Sequence, residues 1–242
     1  MLNSFSRIAV IIPAFNEEQA IADVVHQIQQ VAIREHLQLT VVVVNDCSRD
    51  NTASIIDALP CVSLHLPVNL GIGGAVQTGF RYAFRNGYDY AVQVDGDGQH
   101  PAEAIPALLK AIEQQEADVL IGSRFIAKTG FQSSFMRRVG IRFFSHLNYL
   151  LTGIRVADST SGFRMLNRKA LAVVDDYYPD EYPEPEAIIL YAFNNLKVAE
   201  HPVEMLERQG GVSSINSLNS FYYMFKVSIA ILFTYIRIRR KK

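Results

Sequence analysis

"YAVQVDGDGQHP", residues 90–101, is the stretch on which the reading of this chain turns. A short apolar run, Tyr90 to Val94, ends in two aspartates separated by one glycine. Carboxylates this close repel, and an unpaired charge at the tip of a buried strand costs roughly several kcal/mol. A divalent cation would compensate both, since hard cations take carboxylate oxygens and often bridge them to phosphates. The glycine after each aspartate lets the backbone turn so that Asp95, Asp97 and Gln99 face one point. Pro101 directly follows His100, which reads as a loop or substrate contact rather than a ligand. An isolated Asp-Gly turn after a strand is common, so the weight of the motif depends on its surroundings.

Outward from that stretch, β-branched runs alternate with helical spacing. "IAVII" (8–12), "TVVVVN" (40–45), "VSLHL" (62–66), "YAVQVD" (90–95) and "DVLIGS" (118–123) predict buried strands. Helix-like spacing covers 17–35, 52–58, 73–86 and 102–115. This alternation predicts an α/β fold, a Rossmann-like, mainly parallel sheet with helices on both faces. In such sheets ligands bind at the carboxyl ends of the strands. The first four strands run into "PAFNEE", "NDCSRDNT", "NLGIGGA" and "DGDGQHP". Asp46, Asn69, Asp95 and Asp97 are therefore expected on one rim.

Beyond Ser123 the pattern changes. "FMRRVGIRFFSHLNYLLTG" is helical, "SGFRMLNRKAL" reads as a short strand entering a helix, and "EPEAIILYAFNNLKVAEHPVEM" as a helix and a further strand. Near the end, Leu218, Phe221, Tyr222, Phe225, Ile229, Leu232, Phe233 and Ile236 recur at helical spacing. No repeat, low-complexity linker or second autonomous domain is visible.

With 23 Lys+Arg against 24 Asp+Glu, the whole-chain charge points to neither a nucleic-acid binder nor an acidic tail. The distribution is uneven. No acidic residue lies between Asp118 and Asp158, a span holding Arg124, Lys128, Arg137, Arg138, Arg142 and Arg155. None follows Glu207, and the chain closes "IRIRRKK". Such segments, flanked by aromatics, suit an anionic ligand or membrane surface; solvated helix faces are the plain alternative. Cys47 and Cys61 form no CxxC pattern and the N-terminus lacks a signal-peptide design, so a reducing cytosol is expected. "FYYMFKVSIAILFTYI" is interrupted by Lys226 and falls short of the roughly 20 residues of a spanning helix.

"GIGGAVQTG" fails as a dinucleotide fingerprint, because Val76 stands where GxGxxG needs its last glycine and the stretch follows the third strand. Glycines opening a helix can still approach a phosphate through backbone N–H groups; for Gly74 and Gly79 close helix packing is the alternative. No GxxxxGK[ST] is present, which excludes a P-loop.

Taken in order, "VIIPAFNEE", "VVNDCSRDNT", "NLGIGGAVQTGF", "VDGDGQHP", "IGSRF" and "DSTSGFRM" resemble the family 2 glycosyltransferases. The subset that looks most similar is the dolichyl- and polyprenyl-phosphate sugar transferases and bacterial cell-surface polysaccharide relatives. The resemblance spans residues 7 to about 215. It implies a GT-A fold, a catalytic domain over 1–215 (a nucleotide-sugar half, 1–123, and an acceptor half, 124–215), and a basic amphipathic helix over 216–242. It also implies Mg²⁺ or Mn²⁺, a UDP-, GDP- or dTDP-sugar donor, and inversion at the anomeric carbon.

By the same resemblance, Pro13, Asn16 and Glu17 match the first nucleotide-contacting loop, Asp46 the residue that reads the base, and Asn69 and Gly71 the nucleoside pocket. Asp95, Asp97 and Gln99 match the metal triplet. Arg124 and Arg164 match basic residues near the phosphates, Glu186 a glutamate on the following helix, and Arg208 an arginine that closes over the diphosphate. Ser213 aligns with a serine usually followed by Lys, where this chain has Ser214; Ile72 likewise replaces a usual Lys.

A polyprenyl-phosphate acceptor is already ionised near neutral pH and needs no protein base. A hydroxyl on a lipid-linked glycan needs one within hydrogen-bond reach, with Asp158 and Glu186 as candidates; either could instead orient Arg164 or pair with a helix terminus. A non-catalytic nucleotide-sugar binder is a further alternative. The basic, aromatic helices suit peripheral attachment at the inner face of the cell membrane, packing on the sheet, or a partner subunit in a homodimer. Many relatives continue into spanning helices, so a small membrane protein partner is also a candidate.

Overall fold

The structure is a computed structural model that describes residues 6–126, 135–206 and 220–240. The chain runs β1 (Ile8–Ala14), α1 (Ile21–Arg34), β2 (Leu39–Asn45), α2 (Thr52–Ala58), β3 (Val62–His65), α3 (Gly71–Arg85) and β4 (Tyr90–Gln93). A 3-10 turn (Ala102–Ala104) leads into α4 (Ile105–Gln114) and β5 (Val119–Ser123). Then come α5 (Phe135–Thr152), β6 (Arg164–Asn167), α6 (Arg168–Asp176), α7 (Pro183–Phe193), β7 (Val198–Pro202) and α8 (Ser220–Arg240). The expected strands and helices are all present, with ends shifted by a few residues.

Seven strands form one sheet in the order β3-β2-β1-β4-β6-β5-β7. The four strands β3, β2, β1 and β4 are parallel, as are β5 and β7. β6 runs antiparallel to both of its neighbours, β4 and β5. The alternation of β1 divides the core. Ile8, Val10 and Ile12 join α1 and α4 on one face, while Ala9 and Ile11 join α3, α6 and α7 on the other. Gly79 allows α3 to lie close on the sheet, because a Cβ there would stand 2.1 Å from Ile11 Cγ2. Of the two readings of that glycine, the structure supports helix packing.

A third apolar cluster joins α5, α7 and α8 through Phe144, Ile189, Val227 and Ile231. Of the apolar stripe read from the sequence, Tyr222, Phe225, Leu232, Phe233 and Ile236 are exposed; Leu218 lies outside the described residues, as does the Phe221 side chain. The packed side is Val227, Ile231 and Thr234. At about 100° per residue these two stripes lie on opposite sides of α8, so the expected amphipathic helix is apolar on both. Among the described residues no helix is long and apolar enough to cross a membrane.

Candidate active site

A cleft of about 490 Å³ opens at the carboxyl ends of β1, β2 and β4. Pro13 and Glu17 line it from the end of β1, Asp46 from β2, Asn69 and Gly71 from the turn into α3, and Asp95 and Asp97 from the loop after β4. Parallel strands put these ends together because each crossover returns the chain to the same start. Phe15 and Ile72, both exposed, give the cleft an apolar edge.

The loop after β4 is held from behind. The Asp95 N–H donates to His100 Nδ1 at 2.9 Å, which leaves the His100 proton on Nε2, 3.5 Å from Asp95 Oδ2. The His100 ring stacks on Phe163 with centroids 4.9 Å apart. His100 therefore shapes the loop from behind. Asp97 is buried and its Oδ1 accepts the Gln99 N–H at 3.0 Å. Gln99 enters as backbone, its carbonyl also taking the Leu206 N–H at 2.9 Å.

Asp46, 3 % exposed, does structural duty at the cleft wall. Its two oxygens accept the N–H groups of Leu70 at 2.7 Å and Gly71 at 3.0 Å, fixing the turn into α3. Gly71 sits at φ +77°, a conformation open to glycine at little cost. Asn16 ties the β1 loop to the β2 loop: its N–H donates to Ser48 Oγ at 3.0 Å and its Oδ1 accepts the Arg49 N–H at 2.8 Å.

Besides Asn16 and Gln99, four expected site residues do not line the cleft. Asp158 is fully buried and clamps Arg124, accepting from Nε at 2.7 Å, Nη2 at 2.7 Å and the Arg124 N–H at 3.1 Å. Both its oxygens accept from the guanidinium, so in this structure Asp158, expected as a candidate base, stands as the counter-ion of Arg124. Arg124 accordingly faces Asp158. Arg164 is fully buried on β6, with Nε bonded to the Ser161 carbonyl at 2.7 Å and Nη2 to the Ser159 carbonyl at 2.9 Å. Glu186 turns away toward α8, where its Oε2 accepts the Thr234 hydroxyl at 2.5 Å. Arg208 and Ser213 lie outside the described residues.

The carboxylate that α7 delivers to the cleft is Glu184, which sequence reasoning missed. "PEPE" offers glutamates two residues apart, and on a helix these point about 200° apart. No sequence signal separates the inward one from the outward one. Burial pushes the Glu184 carboxyl above its ordinary 4.5, while the nearby Arg164 guanidinium pulls it the other way.

The family model for glycosyl transferase family 2 matches residues 9–184, most of the chain and all of this cleft. The chain belongs to the family 2 glycosyltransferases. It is 31% identical over 219 residues, 82% of this chain and 85% of the other, to a UDP-N-acetylglucosamine–dolichyl-phosphate N-acetylglucosaminyltransferase of Methanococcus voltae. It is 30% identical to a polyprenol monophosphomannose synthase of Mycolicibacterium smegmatis, covering 92% of this chain and 86% of that one. Among solved structures, the glucosyl-3-phosphoglycerate synthase of Mycobacterium tuberculosis, bound to Mn²⁺, UDP and its product, superposes with a TM-score of 0.72 at 17% identity. That match covers 97% of this chain and 81% of the other and establishes the GT-A fold. This family 2 enzyme is thus a glycosyltransferase drawing on a nucleotide-sugar donor, with Asp46, Asp95, Asp97 and Glu184 in one cleft.

Proposed function

We propose that this glycosyltransferase moves a sugar, with inversion, from a nucleoside-diphosphate donor to a polyprenyl-phosphate lipid, in the assembly of surface polysaccharide. The observation that carries the reading is the meeting of Asp95 and Asp97 at the carboxyl end of β4, in the cleft that Asp46 and Asn69 also line. The relatives named above, which by their names act on dolichyl phosphate and polyprenol, support the acceptor class.

The donor set fits Mg²⁺ or Mn²⁺. Among the described residues no three His, Cys, Asp or Glu side chains gather as a protein-only metal site. That suits a cation bound through one or two carboxylates and completed by substrate phosphates. Asp95, about a third of whose side chain is exposed, and Asp97 behind it would hold the ion. When bound, it supplies positive charge where the diphosphate leaving group becomes more anionic. The chain's own residues do the positioning. Asp46 orders the turn that bears Asn69 and Gly71, and Phe15 offers a flat apolar face at the mouth. Arg208, in the sequence after β7, is the proposed closing cation.

A second acceptor class, a glycan hydroxyl, is favoured by one observation: Glu184 stands in the cleft with a carboxyl made more basic by burial. With an ionised lipid phosphate no base is needed, so Glu184→Gln should keep most turnover. With a hydroxyl acceptor it should lose about 10²-fold or more. Supplying short-chain polyprenyl phosphate and, separately, a lipid-linked glycan decides between them.

The enzyme would meet its acceptor at the inner face of a membrane. The outer side of α8 bears Phe225, Phe233 and Ile236 and ends in Arg237, Arg239 and Arg240, a pattern that suits an anionic lipid surface. The deciding test of the whole proposal is Asp97→Asn. Turnover should fall by about 10²–10³-fold, and the stabilisation by Mn²⁺ with UDP-, GDP- or dTDP-sugar should vanish while the apo melting temperature holds. Full turnover in that variant would refute the metal assignment.

A further inference from the structure

The first turn of α7 carries two glutamates that serve different places. Glu184 lines the donor cleft beside Asp95 and Asp97. Glu186 is buried on the other side of the helix, where its Oε1 accepts the Tyr182 N–H at 3.2 Å and its Oε2 accepts the Thr234 hydroxyl at 2.5 Å. Thr234 is itself buried on α8, on the same side as the fully buried Val227 and Ile231. Apolar side chains could join the two helices as firmly, because taking a carboxylate out of water costs free energy that one hydrogen bond recovers only in part. What the bond adds is register. A hydroxyl and a carboxylate oxygen at 2.5 Å fix both the rotation of α8 and its height along α7.

The backbone of the first turn of α7 offers few hydrogen-bond donors. Pro183 and Pro185 bring no N–H, and the Tyr182 side chain does not cap the helix. We propose that Thr234 and Glu186 are positioning residues, through which the C-terminal helix sets the first turn of α7 and with it the Glu184 carboxylate in the donor cleft. On this account α8 belongs to the catalytic unit and is not an appendage to it. The activity consequence rests on the sugar-transfer reading; the structural consequence does not.

The two can be measured apart. Only Glu184 and Glu186 bear backbone amides among residues 183–186, so ¹⁵N-glutamate labelling reports on this turn directly. Thr234→Val should lower kcat about ten-fold with little change in donor KM, and speed amide exchange at Glu184 about ten-fold. Thr234→Ser, which keeps the hydroxyl, should restore both. Val227→Ala serves as the comparison, since it thins the same helix contact without touching the hydrogen bond; it should lower the melting temperature and leave kcat unchanged. If Thr234→Val does not fold, Thr234→Ala removes the same hydroxyl with less crowding.

Unchanged exchange and kcat in the hydroxyl-free variants would overturn the proposal. So would an equal loss of kcat in Val227→Ala, which would reduce α8 to general packing. If the wild-type protein transfers no sugar to any acceptor supplied, it is the sugar-transfer reading that fails, and the exchange measurement still decides the coupling.

Discussion

On the β3-β2-β1-β4 side of the sheet all strands run one way, and the acidic residues at their carboxyl ends, Asp46, Asp95 and Asp97, line the cleft. On the β6-β5-β7 side one strand runs against its neighbours, and the charged residues around it, Asp158, Arg124 and Arg164, are bonded inside the framework. Both regions carry aspartates in the loops that join strands. In the parallel region the direction of the chain takes such a residue to the cleft rim. In the mixed region β6 starts at that same edge, because it runs antiparallel, but Asp158 is taken into a buried pair with Arg124. A carboxylate near a strand end thus has no fixed meaning until its partners are known.

The largest effect that would break this contrast is at Asp158. Leaving Arg124 without its counter-ion should cost about 3–5 kcal/mol, so Asp158→Ala should show a large fall in stability by denaturant titration. A variant with normal stability and lost turnover would instead return Asp158 to the reacting centre, and the two regions would no longer differ.

Gly79→Ala tests the parallel region with a smaller effect. The added methyl would meet Ile11 Cγ2 at 2.1 Å, and overpacking of this kind costs about 1–3 kcal/mol. Melting temperature should fall while donor KM stays put. A raised KM with normal stability would mean that α3 meets the donor at Gly79 rather than only the sheet.

This difference also explains what could be read from the sequence. In the first half, β-branched runs alternating with helical spacing leave few topologies, and the rule of carboxyl ends then places Asp46, Asn69, Asp95 and Asp97 together. After Ser123 the same reasoning found the elements but not their contacts. The direction of β6 depends on strand pairing, which no local pattern encodes. Glu184 and Glu186 have nearly the same neighbours in sequence, and the choice between them is made by the rotation of α7 as it packs. α8 has two apolar stripes on opposite sides, so periodicity alone could not say which is covered. The stripe read from the sequence is the exposed one, as a lipid-facing side would be, and the covered side is marked by Thr234, a polar residue that hydropathy discounts.

The smallest predicted effect sharpens the contrast at Glu186, and its sign follows from burial. Desolvation holds the Glu186 carboxyl above its ordinary 4.5 in the folded protein, the bond from Thr234 opposing this only in part. Between 4.5 and that raised value the folded state binds more protons than the unfolded one, so stability falls as pH rises through this window and levels off above it. Glu186→Gln keeps an acceptor for Thr234 and removes the titration. Asp50 and Asp118 have lowered values and act in the opposite sense, losing their contribution as pH falls, so the curve of a single protein would mix these terms. The difference between Glu186→Gln and wild type isolates one. It should grow in favour of the variant as pH rises from 4.5 and then stay constant to neutrality. A flat difference would mean that Glu186 is solvated, and that the junction of α7 with α8 is as open as the rim around Asp95.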